Sequence, residues 1–395
     1  MKKCWRWFGR RDKVTLDMIR QIGVEGVVTA LHEVKNGEVW TENAIKEIKD
    51  YKERYGLCWS VVESLPVSEP IKYGGPERDA LIENYKTSLA NLGKAGIKTV
   101  CYNFMPVIDW IRTDLKYKQP DGSTTLYFDK AKFAYFDCRI LNRKGAESDY
   151  SAEELQAVEE LGHTMTAAGR DALIDAVILK TQGFVNGNIA ENERNPIERF
   201  NEMLALYRGV DTTQLRNNLK IFLEAVMPVC DEYDINLCIH PDDPPYPVLG
   251  LPRIVGCDED MEWILNAVDN PHNGLTLCAG SLSANPKNDV AAMAAKYADR
   301  IHFVHMRSTE VEPSGNFKEA SHLAGRGCLL DVARVFERVK PDVPMRVDHG
   351  KEILDDSMMG YNPGYSFHGR MLALGQVEGL MAAARDELSR GFYSL

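Results

Sequence analysis

Leu237-Cys238-Ile239-His240-Pro241-Asp242-Asp243-Pro244-Pro245 sets the reading of this chain. Three apolar residues of a short buried strand run into a histidine, and the prolines and carboxylates after it stop the strand. Proline offers no N–H to a ladder and holds φ fixed, so the backbone at the rim is stiff. The same device, an apolar run ending on a polar group, recurs at Cys4 to Phe8, Gly26 to Leu31, Cys58 to Glu63, Thr99 to Met105, Leu275 to Cys278, Ile301 to Met306 and Pro344 to Val347. Amphipathic segments lie between them. Leu81, Tyr85, Leu89 and Leu92 share one helical face, as do Leu215, Leu219, Phe222 and Val226. Strand and helix alternating through eight units predict an α/β chain closed into a (β/α)8 TIM barrel. Such barrels carry their chemistry at the C-terminal strand ends, where this sequence puts Arg6, His32, Glu63, Asn103, His240, Cys278, His305 with Arg307, and Asp348 with His349.

One connection is far longer than the roughly 2 to 6 residues of a βα loop. The chain therefore divides into 1–106 (three β/α units and the fourth strand), an insertion over 107–212 at the catalytic end, and 213–395 (the fourth barrel helix and units five to eight). Gln119-Pro120-Asp121-Gly122-Ser123 reads as a hairpin turn and Ser151-Ala152-Glu153-Glu154 as a helix capping box, so the insertion is expected to be mainly helical. A lid, a dimer contact and simple decoration are equal readings of its role.

Composition narrows the function. The 395 residues hold 47 Lys plus Arg against 58 Asp plus Glu, a formal charge of −11 that disfavours nucleic acid or an anionic membrane as partner. An anionic substrate must then meet local cations. No apolar stretch approaches the roughly 18 residues of a membrane span, and the basic N-terminal segment lacks the apolar block of a secretory signal, so a cytoplasmic protein is expected. Nine cysteines without a Cys-x-x-Cys pair indicate neither a disulfide framework nor a zinc ribbon. Neither a phosphate-cradling Gly-x-x-x-x-Gly-Lys-Ser/Thr nor a dinucleotide Gly-x-Gly-x-x-Gly occurs, so no nucleotide or organic cofactor is expected.

The sharpest constellation joins four successive strand ends, each about one β/α unit from the next: His240, Cys278, His305 and Asp348. Singly, each reads equally as a buried thiol or a satisfied core polar group. At equivalent positions of one barrel, two imidazoles, a thiolate and a carboxylate make a divalent-metal site. Softness favours zinc, and open positions also suit Mn²⁺ or Fe²⁺. Arg6, Arg307 and Arg346 are candidates to bind a carboxylate, with a rim salt bridge as the competing reading of each. His349 and Tyr365, in Asn362-Pro363-Gly364-Tyr365-Ser366, are a candidate acid and base pair. His32 and His322 are further possible site residues; His163, His272, His302 and His368 read as structural or surface groups.

On these residues the sequence resembles the D-mannonate dehydratase family. Trp5-Arg6-Trp7-Phe8-Gly9, Gly26 to His32, Trp59 to Ser64, Cys101-Tyr102-Asn103-Phe104-Met105-Pro106, His240 to Pro245 and Asp348-His349-Gly350 look like that family's blocks, nearly end to end. The resemblance implies a xylose-isomerase-like barrel, a Mn²⁺ or Fe²⁺ site, and loss of water from D-mannonate to give 2-dehydro-3-deoxy-D-gluconate in hexuronate catabolism. Carried over by motif, His240, Cys278, His305 and Asp348 fall on metal ligands, and His349 and Tyr365 on acid and base positions whose order stays open. Arg6, Asn103, Arg307, Ser308 and Arg346 are expected to contact the sugar acid, and a homo-oligomer, a dimer first, is expected.

Three other readings compete. A metal-dependent sugar isomerase or epimerase would share the barrel, though such sites rely on carboxylates and a lysine. A barrel zinc endonuclease would need a basic face. A non-catalytic sugar-acid binding protein would bind mannonate without turning it over.

Overall fold

In this computed structural model, which describes residues 1–185, 189 and 192–391, eight parallel strands close into a barrel in the order β1-β12-β9-β8-β7-β4-β3-β2. The barrel strands are β1 (Lys2–Arg6), β2 (Gly26–Thr29), β3 (Cys58–Glu63), β4 (Thr99–Tyr102), β7 (Asn236–Ile239), β8 (Asn273–Cys278), β9 (Ile301–Met306) and β12 (Pro344–Val347). The (β/α)8 barrel expected from the sequence is the fold. Some expected runs stop short: the stretch from Thr99 to Met105 leaves the sheet after Tyr102, where the chain turns away into the long connection.

The two expected amphipathic faces lie on the helices Arg78–Lys94 and Thr212–Tyr233. They meet edge to face at Tyr85 and Phe222, with ring centroids 4.9 Å apart. Tyr85, Leu89, Leu92, Leu215, Leu219, Phe222 and Val226 are all buried in the main core. The helix faces thus cover the outside of a sheet whose strands are apolar on both sides.

The segment 107–212 contains the hairpin β5 (Asp114–Lys118) and β6 (Thr124–Phe128), then helices through Pro196–Ala205. Gln119 N–H donates to Ser123 O at 2.8 Å across the turn, and the Ser151–Glu154 capping box is formed in both directions. The segment has a core of its own around Phe128, Phe133, Phe136 and Phe200. A feature the sequence reading lacked is a second sheet, β10-β11-β6-β5. Its other half, β10 (Thr309–Val311) and β11 (Phe317–Glu319), follows barrel strand β9 directly. Three-residue strands bounded by ordinary polar residues carry too little periodicity to be read locally, and the pairing of β11 with β6 is wholly long-range. This sheet fastens the insertion to the catalytic mouth.

Candidate active site

Side chains alternate in and out of a barrel strand, so a residue two places past an interior position also faces inward, one layer nearer the mouth. Cys4, Val28, Val61, Cys101, Cys238 and Phe303 pack together as the apolar interior layer. Two residues further on stand Arg6, Glu63, Asn103, His240 and His305; Thr276 leads likewise to Cys278, and Arg346 to Asp348. The register between strands sets Cys278 beside His305 and His305 beside Arg346. The mainly apolar layer below and the polar groups above follow from one period-two pattern.

His240, Cys278 and His305 each offer a donor atom, and these atoms all lie within 4.8 Å of one another. His240 Nε2 is 3.1 Å from His305 Nδ1, and Asp348 Oδ2 is 3.6 Å from Cys278 Sγ and 4.0 Å from His305 Nδ1. The His240 Nδ1–H donates to Pro241 O at 2.7 Å. A carbonyl only accepts, so Nδ1 carries the proton and Nε2 is the nitrogen turned to the cluster, as outer partners of metal-binding imidazoles do. Burial disfavours charge on His240, but hydrogen bonding and charge from Cys278 outweigh it and lift its pKa to about 10. Burial, with Arg346, pushes His305 well below the ordinary imidazole value. Among the described residues His305 Nε2 is buried without a hydrogen-bond partner; Glu63 Oε1 stands 3.6 Å away. A buried sulfur, two imidazoles and a carboxylate edge, one nitrogen unsatisfied, fit a divalent cation that would take the place of protons among them. This is a possible metal site.

Around it runs a buried chain of ion pairs. Arg346 grips Glu63 through two nitrogens at 2.9 and 2.8 Å and donates to Asp348 Oδ1. Arg307 donates to Asp348 Oδ2 at 2.9 Å and to Asp243 Oδ2 at 2.7 Å. Arg112, from the insertion, pairs with Asp243 at 2.8 Å and Glu319 at 2.7 Å. Burial raises the pKa of an isolated carboxyl, yet Arg346, His349 and Arg307 hold Asp348 well below the usual carboxylate range. Burial is likewise overcome at Glu63, where Arg346 leads the groups that bring it to about 2. Gly280 makes room for the Arg307 stem: a Cβ there would stand 1.9 Å from Arg307 Nε.

His349 and Tyr365 face each other at right angles, ring centroids 5.2 Å apart. The Trp110 and His349 ring centroids are 4.7 Å apart, and Phe8 meets Tyr365 at 4.8 Å. Gly364 permits this approach, having φ of +81° and lying where a Cβ would be 3.0 Å from the His349 ring. Burial, with the charge of Asp348, pushes the Tyr365 phenol above its usual value, so it stays protonated at neutral pH. Both rings, Arg6, Asn103, His240 and Asp348 line one cavity, whose space including its mouth is about 520 Å³. Among the predicted cations Arg6 differs from the others. Its Nη1 is buried without a hydrogen-bond partner among the described residues, whereas Nη1 and Nη2 of Arg307 and all three nitrogens of Arg346 donate to carboxylates.

Other expected site residues fall elsewhere. Ser308 is buried with its Oγ accepting from Gly327 N–H at 2.9 Å, so it braces a loop and is not part of the cavity lining. His322 donates from Nε2 to Met306 O at 2.8 Å, and burial lowers its pKa to about 4. Burial, then Arg6, takes His32 to about 3; neither histidine is among the lining residues. The sequence reading missed Asp109 and Trp110, which line the cavity from the start of the insertion. Asn103 Nδ2 donates to Asp109 Oδ2 at 2.6 Å. Their signal was a carboxylate and an indole seven and eight residues past a barrel strand end, in a stretch assigned to the insertion as a whole.

The model of the family D-mannonate dehydratase (UxuA) matches residues 1–390. The chain belongs to the D-mannonate dehydratase family. It is 46% identical to a mannonate dehydratase of Marinomonas sp. (strain MWYL1) over 98% of this chain and 100% of the relative. It is 44% identical to one from Chromohalobacter salexigens over 98% and 99%. The crystal structure of mannonate dehydratase from Streptococcus suis serotype 2 superposes with a TM-score of 0.78 at 36% identity, covering 98% of this chain and 96% of that one. A D-tagatose 3-epimerase-like protein shares the fold alone, at a TM-score of 0.52 and 10% identity over 98% of this chain and 100% of that one. Family membership makes the chain an enzyme, a hydro-lyase. Among the described residues no helix is long and apolar enough to cross a membrane.

Proposed function

We propose that this enzyme removes water from D-mannonate to give 2-dehydro-3-deoxy-D-gluconate, as a cytoplasmic step of hexuronate catabolism, and that it works as a homo-oligomer. The observation that carries the reading is the convergence of His240, Cys278 and His305 within 4.8 Å, beside a cavity lined by His240 and Asp348 together with the His349 and Tyr365 rings. His240, Cys278, His305 and Asp348 would hold Mn²⁺ or Fe²⁺, whose positive charge would stabilise the negative charge that builds on the substrate carboxylate when the C2 proton leaves. Arg6, with its free Nη1, binds the carboxylate; Asn103 and Asp109 offer a donor and an acceptor to sugar hydroxyls.

The proton moves follow from the two rings. Tyr365, held protonated by burial and by Asp348, is the proton donor to the C3 hydroxyl, which departs as water. His349 takes the C2 proton, and the enol left behind tautomerises to the 2-keto acid. Trp110 and Phe8 shield the pair from bulk water.

The test is turnover and exchange in D₂O. His349→Asn and Tyr365→Phe should keep bound metal and lose dehydration by about 10² to 10⁴-fold. Tyr365→Phe should still exchange the C2 proton for deuterium, and His349→Asn should not. Wild-type rates in both variants would remove the assignment. Interconversion of epimers without loss of water would favour the epimerase reading.

A further inference from the structure

The four-stranded sheet outside the barrel delivers one side chain into the catalytic neighbourhood, Glu319, the last residue of β11. The carboxylate is fully buried. Its Oε1 lies 3.3 Å from His349 Nδ1 and accepts from Arg112 Nη2 at 2.7 Å, and its Oε2 is 3.2 Å from Arg307 Nε. The opposite ring nitrogen, His349 Nε2, is 3.9 Å from Asp348 Oδ1, the oxygen that also accepts from Arg346. From this geometry we infer that Glu319 is a positioning residue: it accepts the Nδ1 proton of His349 and so fixes the ring's orientation and tautomer, leaving Nε2 to meet the substrate.

Two observations support the inference against its rivals. Arg307 Nη1 also stands 3.3 Å from His349 Nδ1, and its donation there would demand the opposite tautomer. That Nη1 already donates to Asp348 at 2.9 Å, and Nη2 to Asp243. Nη1 keeps a second N–H, so its bond to Asp348 does not settle the matter. Glu319 does, because its Oε1 can only accept, and a His349 Nδ1 lone pair turned toward it at 3.3 Å would set two acceptors against each other, whereas an Nδ1–H satisfies it. The second rival makes Glu319 a charge balancer for the buried arginines. Arg112 and Arg307 are each already paired with Asp243, and Arg307 with Asp348 as well. Neutralising them does not require a carboxylate at the tip of β11, whereas orienting His349 does.

The structure also gives the small sheet a purpose. β11 pairs with β10 on one side and with β6 of the insertion on the other. Arg112, two residues before β5, comes from the same insertion, as does Trp110, whose ring centroid is 4.7 Å from that of His349. The sheet therefore sets the imidazole from outside the barrel while Asp348, its chain neighbour, belongs to the barrel itself.

The inference rests on the assignment of His349 as the group that takes the C2 proton. Glu319→Asp and Glu319→Gln are compared in the metal-loaded enzyme, with kcat, KM for mannonate and bound metal measured for each. Asp keeps the charge and withdraws the oxygens by one methylene; Gln keeps the reach and loses the charge. Positioning predicts that both lower kcat at least tenfold, with KM within twofold and metal content unchanged. A Glu319→Asp enzyme with wild-type kcat would overturn the inference in favour of charge balance. So would losses carried by KM or by metal content, failure of both variants to fold included. His349→Asn serves as the control: if it turns over normally, the proposed function fails first; if it is impaired while both Glu319 variants are normal, only the role of Glu319 fails.

Discussion

Lys52 offers a quantitative test of how this barrel is held together. It sits in the helix Glu42–Glu53, fully buried, with no hydrogen-bond partner for Nζ among the described residues. The ammonium lies 4.1 Å from the centroid of the Trp59 ring. Burial lowers its pKa from 10.5 to about 7, with only weak opposition from the charge of Glu53. The unfolded chain therefore holds this proton up to about pH 10.5, while the folded protein gives it up near pH 7. Between those values stability rises with pH; below them both states are protonated and the full cost stands. At 1.36 kcal/mol per pH unit that net cost is roughly 5 kcal/mol. Lys52→Met keeps the aliphatic stem and removes the charge. It should stabilise the protein by about 4 kcal/mol at pH 7 and by only about 1 kcal/mol at pH 9.5. Denaturation of both proteins at the two pH values measures this, with catalysis expected to be unaffected because Lys52 is not part of the cavity lining. A variant less stable than the parent at pH 7, or a gain that is the same at both, would refute the reasoning.

Further outcomes are expected at the site and in the core. Arg6→Lys should raise KM for mannonate about tenfold with kcat little changed, since a lysine replaces the planar fork by a point charge; a loss confined to kcat would contradict the carboxylate role. Ser308→Ala should leave KM unchanged, because its hydroxyl is turned to Gly327, and a raised KM would return it to the substrate site. His32 and His322 are buried neutral, with pKa values near 3 and 4. As pH falls below about 6.5 the unfolded chain takes their protons first, so each should subtract about 1 kcal/mol of stability by pH 5.5. His322→Gln should flatten that part of the profile, and an unchanged slope would exclude the histidine as its source.

The barrel was legible because its strands are apolar on both faces and each ends on a polar group, a signal that lies within a few residues. The same period of two aims Arg6, Asn103, His240, Cys278 and Asp348 at one mouth, so the candidate site could be read as a list of strand ends. What could not be read depends on contacts between distant segments. Glu319 and Arg112 meet at 2.7 Å only because β11 pairs with a hairpin of the insertion, and three-residue strands leave no periodic trace. Arg307 and Arg346 look in sequence like free carboxylate binders. Their Nη groups prove to be engaged because Asp243, Glu63 and Asp348 converge on them from the ends of β7, β3 and β12. Ser308 follows Arg307 in the chain, yet alternation turns it away from the cavity.

X-ray absorption at the metal edge, on zinc-loaded protein without substrate, tests the central claim most directly. The account predicts one ion per chain, with a sulfur neighbour at roughly 2.3 Å beside nitrogen and oxygen neighbours, and loss of the sulfur shell in Cys278→Ser. Bound zinc surrounded by nitrogen and oxygen alone in the unaltered protein would contradict it.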